Sequence, residues 1–437
     1  MVSKISLFFF QCMSLLVFTV NAQPKNTPIV KGETRGTLKV LPGAHQVQEY
    51  LPLIKGKRVA IFANQTSAID GVHLVDTLMK LGVDIKKIFS PEHGFRGDAD
   101  AGEHVSSSVD AATGIPIISL YGDHKKATIT DLADVDVLIF DLQDVGLRYY
   151  TYINNVQECM ESAIAANKPM IILDRPNPNG FFVDGPVLED GFQSGVGKQQ
   201  VPIVYGMTMA EYASYLYGEK LLNKTMYQYT DGSPAVKMLL GMYQPLKLTI
   251  VKCKNYDHNS FYAPPIKPSP NLPNMQSVLL YSSICFFEGT EVSLGRGTDK
   301  PFQIYGAPSF PDSLLFRFKP VSTPGAKNPP LQNRLCHGYD LSNTPIDITK
   351  KENRQINLSY LLHAYELYPD KDSFFLRPKK GNPSTSDYFF NKLAGNDQLM
   401  WQVMNGKSEA EIRKSWEPGM TAFKKVRKKY LLYKDFE

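Results

Sequence analysis

From residue 58 to residue 251, short apolar runs take turns with segments of helical spacing. Arg58–Ala63, Ile85–Phe89, Ile115–Leu120, Val135–Leu142, Pro169–Leu173 and Leu246–Val251 read as strands. Val72–Leu81, Tyr152–Ala166 and Met207–Tyr217 read as helices, the second with Ile153, Val156, Met160 and Ile164 on one face. Short apolar strands alternating with helices predict an α/β fold, a parallel sheet with helices on both faces. Polar residues collect just after the strand ends: Asn64-Gln65-Thr66, Glu92-His93, Asp141 to Arg148, and Asp174-Arg175. The same habit at four strand ends predicts one rim, and open α/β sheets bind their ligands at that edge.

The densest strand end is Ser90–His104. Pro91 stops the strand, because proline cannot donate to the ladder. The loop beyond it carries Glu92, His93, Asp98, Asp100, Glu103 and His104, with Gly94, Gly97 and Gly102 between them. No G-x-G-x-x-G follows the first strand, so the phosphate-cradling fingerprint is absent and no nucleotide cofactor is expected.

The second half reads differently. Residues 262–274 are proline-dense and predict an extended connection between two bodies. Ser277–Phe287 is apolar, and Phe287–Pro308 then sets Glu288, Glu291, Arg296 and Asp299 among glycines. After a Pro/Lys/Gly stretch at 320–330, helices are predicted at Leu358–Leu367, Asp397–Met404, Glu409–Trp416 and Met420–Leu432. The expected organisation is a signal peptide at 1–22, a sheet-bearing catalytic domain at 23–265, and a smaller domain at 266–437 that contributes to the active site. Residues 23–45 are expected to form an arm or an early strand.

The signal peptide rests on Lys4, the broken apolar run Ile5–Val20, and Val20-Asn21-Ala22 before Gln23. The run is too short and interrupted for a membrane span, and no second one follows. The expected location is outside the cytoplasm, in a bacterium the periplasm. Net charge of +5 is modest, and its C-terminal concentration at Lys424, Lys425, Arg427, Lys428 and Lys429 reads as a solvated helix face. No nucleic-acid module accompanies it, so no nucleic-acid partner is expected. Cys159, Cys253, Cys285 and Cys336 are widely spaced and contain no Cys-x-x-Cys pair; buried thiols are expected.

Seven stretches, in order, carry a family resemblance: PEHGFRGDADAGE (Pro91–Glu103), DLQDVGLRYYTYI (Asp141–Ile153), LDRPNPNG (Leu173–Gly180), PIVYGMTMAEY (Pro202–Tyr212), PSPNLPN (Pro268–Asn274), FEGTEVSLGRGTDKPFQIYGAP (Phe287–Pro308) and KKYLLY (Lys428–Tyr433). With these the chain resembles the exo-β-N-acetylmuramidases, secreted glycosidases of glycoside hydrolase family 171. One position departs from the family pattern: Tyr205-Gly206-Met207-Thr208 stands where the family usually has His-Gly-Met-Thr. The resemblance implies a Rossmann-like domain joined to a smaller α+β C-terminal domain. It implies removal of terminal β-linked N-acetylmuramic acid from the non-reducing end of peptidoglycan fragments, without a cofactor.

That chemistry needs a protonated carboxyl at the leaving oxygen and usually a second carboxylate. Glu92, at a strand end with His93 beside it, is the expected acid. Glu288 and Glu291 are the candidates for the second carboxylate, and Glu288 ranks ahead because it directly follows an apolar run. The substrate's lactyl carboxylate suits a planar guanidinium. Arg296 ranks first for it, before Arg148 and Arg175, each of which has the alternative of bridging a neighbouring Asp. Asp141, Asp144, His93 and Tyr150 complete the expected substrate-binding set. Asp141 also reads as a helix cap. Two other classes remain open. One is a metal-dependent amidase or deacetylase using Glu92, His93, Asp98, Glu103 and His104, which a chelator would inhibit. The other is a non-catalytic glycan-binding protein, which would not turn over a muramic acid glycoside. The oligomeric state is not legible.

Overall fold

The central strands Arg58–Ala63, Val137–Asp141 and Met170–Leu173 follow from apolar runs buried on both sides. In chain order the strands are β1 (Arg58–Ala63), β2 (Ala68–Ile69), β3 (Val72–His73), β4 (Asp84–Ser90), β5 (Ser108–Val109), β6 (Pro116–Ser119), β7 (Val137–Asp141), β8 (Met170–Leu173), β9 (Asp184–Val187), β10 (Pro202–Val204), β11 (Leu248–Val251), β12 (Ile304–Ala307), β13 (Phe316–Phe318) and β14 (Cys336–Asp340). This computed structural model describes residues 38–92, 94–96, 107–120, 122, 124–222, 246–347 and 354–437. The expected signal peptide and most of the early arm lie outside the described residues, as do His93, Asp98, Asp100, Glu103 and His104.

The main sheet has the order β11-β8-β7-β1-β4-β6-β5, parallel throughout except for the β5 edge. The six parallel strands therefore have the doubly wound Rossmann order, with the switch point between β1 and β7. Side chains alternate across the sheet. Val59, Ile61 and Ala63 pack with Tyr50, Ile54, Leu74 and Leu78 of the helices Val47–Ile54 and Leu74–Lys80. Ala60 and Phe62 share the opposite core with Ile153, Val156 and Met160 of the helix Tyr152–Ala165 and with Ala213 of the helix Met209–Gly218. That second core continues through Leu279, Phe286, Phe390 and Trp416, so the C-terminal helices close one face of the sheet. The C-terminal region has its own small antiparallel sheet, β12-β14-β13, and Val40–Glu437 is one compact unit.

Two helical expectations are corrected. The helix expected from Val72 begins at Leu74, because Val72-His73 first pairs with β2 and the His73 ring then accepts from Val75 N at 3.2 Å. The two last helices are one, Glu409–Arg427, continuous through Pro418. Its apolar face, with Ile412, Trp416 and Phe423, is buried on both sides of the proline. Lys414, whose carbonyl loses its donor, lies on the exposed face, where solvent serves it. All four cysteines among the described residues are buried free thiols.

Arg148 ties the two regions together. It is 0% exposed, with Nη1 donating to the carbonyls of Pro186 (2.9 Å) and Val201 (2.8 Å) and Nη2 to those of Leu393 (2.9 Å) and Ala394 (2.7 Å). Burial pulls the guanidinium pKa down to about 9, still protonated at neutral pH. Gly395 follows at φ +90, and a Cβ there would meet Nη2 at 2.5 Å, so the guanidinium needs a glycine beside it. The expectation that Arg148 holds a substrate carboxylate is thereby corrected. Replacing it by Met removes four hydrogen bonds to buried carbonyls, of which that of Val201 keeps a second donor, Leu188 N at 3.1 Å. Arg148→Met is expected to cost about 3–5 kcal/mol, since each buried carbonyl left unsatisfied costs about 1–3 kcal/mol. Urea unfolding should show the midpoint falling with the slope unchanged. A loss under about 1 kcal/mol would contradict the role.

Candidate active site

At the switch point the chain leaving β1 turns back on itself through a buried polar floor. Asn64 Oδ1 accepts from Thr66 N at 2.9 Å and from Thr66 Oγ1 at 2.6 Å. Thr66 Oγ1 accepts in turn from Gln143 N at 3.2 Å, and the Ser67 hydroxyl donates to the Asp141 carbonyl. Asp141 ends β7 and is fully buried against Arg175, which donates Nε to Oδ1 at 2.6 Å and Nη2 to Oδ2 at 2.8 Å. This bidentate pair corrects two expectations. Asp141 caps no helix and Arg175 is spent on it, so neither is presented to a substrate.

A row of aromatic rings runs outward from this floor. Tyr152 receives Asn64 Nδ2 at 2.7 Å, and its ring stands 4.8 Å from that of Tyr150. Tyr150 donates its hydroxyl to the Pro268 carbonyl at 2.8 Å, which also accepts Gln65 Nε2 at 3.2 Å. Tyr150 is therefore a buried strut for the proline-dense segment, not a face for the sugar. Tyr281 follows at 6.4 Å and Phe302 at 4.6 Å beyond it. Glu92 is half-buried just past β4, and its charge acts on Tyr152. Asp144 lies behind the tyrosines, 5% exposed. Its Oδ2 accepts from Gly146 N at 2.6 Å and from the Tyr205 hydroxyl, while Oδ1 is buried without a partner among the described residues. Burial pushes its carboxyl up to about 7, against the opposing pull of Tyr205 and Gly146.

The far end of the aromatic row is a cavity of about 620 Å³, in the usual size range for small-ligand sites, roughly 300–1,000 Å³. Glu288, Glu291, Arg296, Leu331, Leu376 and Phe389 are among the residues lining it. Arg296 lies 5.0 Å over the Phe302 ring and donates Nε (2.8 Å) and Nη2 (2.5 Å) to one oxygen, Oε1 of Glu288. Its Nη1 takes no partner among the described residues, nor does the carboxylate of Glu291. The two candidate glutamates are thus distinguished: Glu288 is tied to an arginine, and Glu291 is not.

The structure gathers Glu92, Asp144 and Tyr150 about the floor, and Glu288, Glu291 and Arg296 about the cavity. Tyr205, Tyr281 and Phe302 were missed. An aromatic residue inside an apolar run signals core, and only the fold shows that Tyr281 and Phe302 link the two groups while Tyr205 holds Asp144. Five residues could have formed the metal cluster expected as an alternative; only Glu92 is among the described residues.

Carboxyl groups beside buried tyrosines near the carboxyl edge of an open α/β sheet suit acid–base work on a sugar, the class of the glycosidases. The N-terminal and C-terminal domains described as exo-β-N-acetylmuramidase NamZ match residues 59–276 and 279–433. The chain is 36% identical to the peptidoglycan β-N-acetylmuramidase NamZ of Bacillus subtilis strain 168, over 96% of this chain and 97% of that one. It is similar to two solved DUF1343 family proteins of Bacteroides fragilis. One has 43% identity and a TM-score of 0.78, the other 26% and 0.73; each match covers 91% of this chain and all of the other. The chain belongs to the exo-β-N-acetylmuramidase family, whose members are glycoside hydrolases.

Asp144 gives a pH signature. Its pKa in the fold, about 7, stands above the unfolded value of about 3.9. Stability linked to it is fully present below about pH 4 and is lost as pH rises through 7. Asp144→Asn removes this dependence, so its stability relative to the parent should rise between pH 4 and pH 8, by at most about 4 kcal/mol for three pKa units. Urea unfolding at both pH values measures it; parallel pH profiles for the two proteins would contradict it.

Proposed function

We propose that this chain releases terminal β-linked N-acetylmuramic acid from the non-reducing end of peptidoglycan fragments. The observation that carries the reading is the Arg296 guanidinium in the cavity, held on one side by Glu288 with Nη1 left for an anion. A lactyl carboxylate is such an anion, and it separates muramic acid from glucosamine. In this reading Glu92 protonates the leaving oxygen. Glu291 supplies the second carboxylate, reversing the ranking expected from the sequence, since Glu288 is committed to Arg296. The apolar signal-like run Ile5–Val20 supports export to the periplasm, where such fragments arise.

Two outcomes are expected. Glu92→Gln keeps the shape and loses the proton, so turnover on an unactivated disaccharide should fall by about 10²–10⁴-fold. The loss should be far smaller with a good leaving group; equal losses on both would remove Glu92 from the acid role. Arg296→Met should raise KM for a muramic acid glycoside and narrow its advantage over the N-acetylglucosamine analogue by about one to two decades, the worth of a charge-assisted hydrogen bond. An unchanged ratio of kcat/KM values for the two substrates would place the lactyl group elsewhere.

A further inference from the structure

β4 ends at Ser90, whose carbonyl accepts Leu120 N at 2.8 Å, and Pro91 then takes the chain out of the sheet. Gly94 N donates to the Pro91 carbonyl at 3.2 Å, with Gly94 at φ +76, and so closes a turn that carries Glu92. One backbone hydrogen bond is a weak hold on a turn. The two residues that follow fasten it. Phe95 is 3% exposed and joins the core of Val59, Ile61 and Leu74, its ring edge-on to that of His73 at 4.5 Å. His73 takes Val75 N on Nδ1, so its Nε2 carries the hydrogen that it donates to the Asn64 carbonyl at 2.9 Å. Arg96 donates Nε to Oδ1 of Asp110 at 3.0 Å and Nη2 to Oδ2 at 2.8 Å. Nη1 and Nη2 also reach Asp76 of the helix Leu74–Lys80, each at 3.4 Å. Asp110 is itself immobilised in the turn between β5 and β6. Its N donates to the Ile115 carbonyl at 2.9 Å, and its Oδ2 accepts the Thr113 hydroxyl at 2.6 Å.

We propose that Arg96 is a positioning residue for Glu92: its fork on Asp110 fixes the stem of the turn, and with it the backbone from which the acid reaches the glycosidic oxygen. The proposal rests on Glu92 being the acid. Stability alone does not call for this arrangement. Arg96 is a third exposed, ion pairs of that kind contribute little to folding, and Phe95 already anchors the segment. What a bidentate pair adds is direction, because fork and carboxylate lock in distance and angle together. The guanidinium also holds the Asp110 carboxyl below the usual carboxylate range, so the pair stays charged near neutral pH.

The test is Arg96→Met, assayed on an unactivated muramic acid disaccharide and on an aryl muramic acid glycoside with a good leaving group. Turnover of the disaccharide should fall by about 10–100-fold with KM little changed, the scale for a small misplacement of a catalytic group. The fall should be far smaller on the aryl glycoside, which needs less protonation. In a Glu92→Gln background Arg96→Met should cost nothing further, because Arg96 acts only through the acid. Arg96→Lys keeps the charge without the fork and should recover only a small part of the loss. Asp110→Asn opens the pair from its other side and decides the question if Arg96→Met does not fold. Equal losses on the two substrates, or a further loss in the Glu92→Gln background, would make Arg96 merely structural and overturn the proposal. Full activity in Arg96→Lys would overturn it too, since charge alone would then suffice. The two levels separate cleanly. If Glu92→Gln is fully active, the acid assignment falls and takes the proposal with it. If Glu92→Gln shows the selective loss and both Arg96→Met and Asp110→Asn keep the parent's ratio of the two substrates, the acid stands and the proposal alone is wrong.

Discussion

A buried guanidinium with no carboxylate to balance it among the described residues is the constraint on which this architecture depends. Arg148 spends four hydrogens on carbonyls, two from the segments around β9 and β10 and two from the end of the helix Phe389–Ala394. Carbonyl dipoles must be aimed with care to compensate a charge in an apolar setting. Neither region can shift without uncovering the cation. The rim residues of the sheet and the carboxylates after Phe287 are therefore held in one frame, as the proposed acid–base chemistry would require.

Polar groups under the rim carry a second consequence. Asp141–Arg175 and the Asn64–Thr66–Gln143 chain are fully enclosed, where hydrophobic packing of equal volume is often no less stable. Their value lies in direction: a hydrogen bond fixes an orientation that a methyl group cannot. Asp144 is the exception that sharpens the point, with one oxygen left unpartnered and a pKa raised by burial. It holds a proton near neutrality, close to Tyr150 and Tyr152.

Much of this was legible in the chain because it is local. Apolar runs gave the strands, and polar residues after Ala63, Ser90, Asp141 and Leu173 gave the rim. The stops at Pro91 and the helix start after Thr208, a capping box with Glu211, are also local chemistry. Partner choice was not legible. Arg148 meets Leu393 and Ala394 from 245 and 246 residues away, and no pattern near it announces carbonyls instead of a ligand. Asp141 ends β7 and Arg175 stands two residues past the end of β8, and only the adjacency of β7 and β8 turns two candidate ligands into one closed pair. Glu288 and Arg296 are eight residues apart, and the loop between them had to be seen to fold back. The helix at Glu409–Arg427 was misread because Pro418 is a breaker by rule and harmless on an exposed face.

The four buried thiols set a schedule for this protein. Burial raises the pKa of each one, so the reactive thiolate is scarce while the fold is intact. In an oxidising compartment, the proposed destination, the native protein thus offers oxidants and disulfide carriers almost nothing. The unfolded chain offers them everything, at Cys159, Cys253, Cys285 and Cys336, with no native pairing to steer the outcome. Maturation becomes a race between burial and oxidation. Slow collapse would be recorded as covalent mispairing that later folding cannot erase.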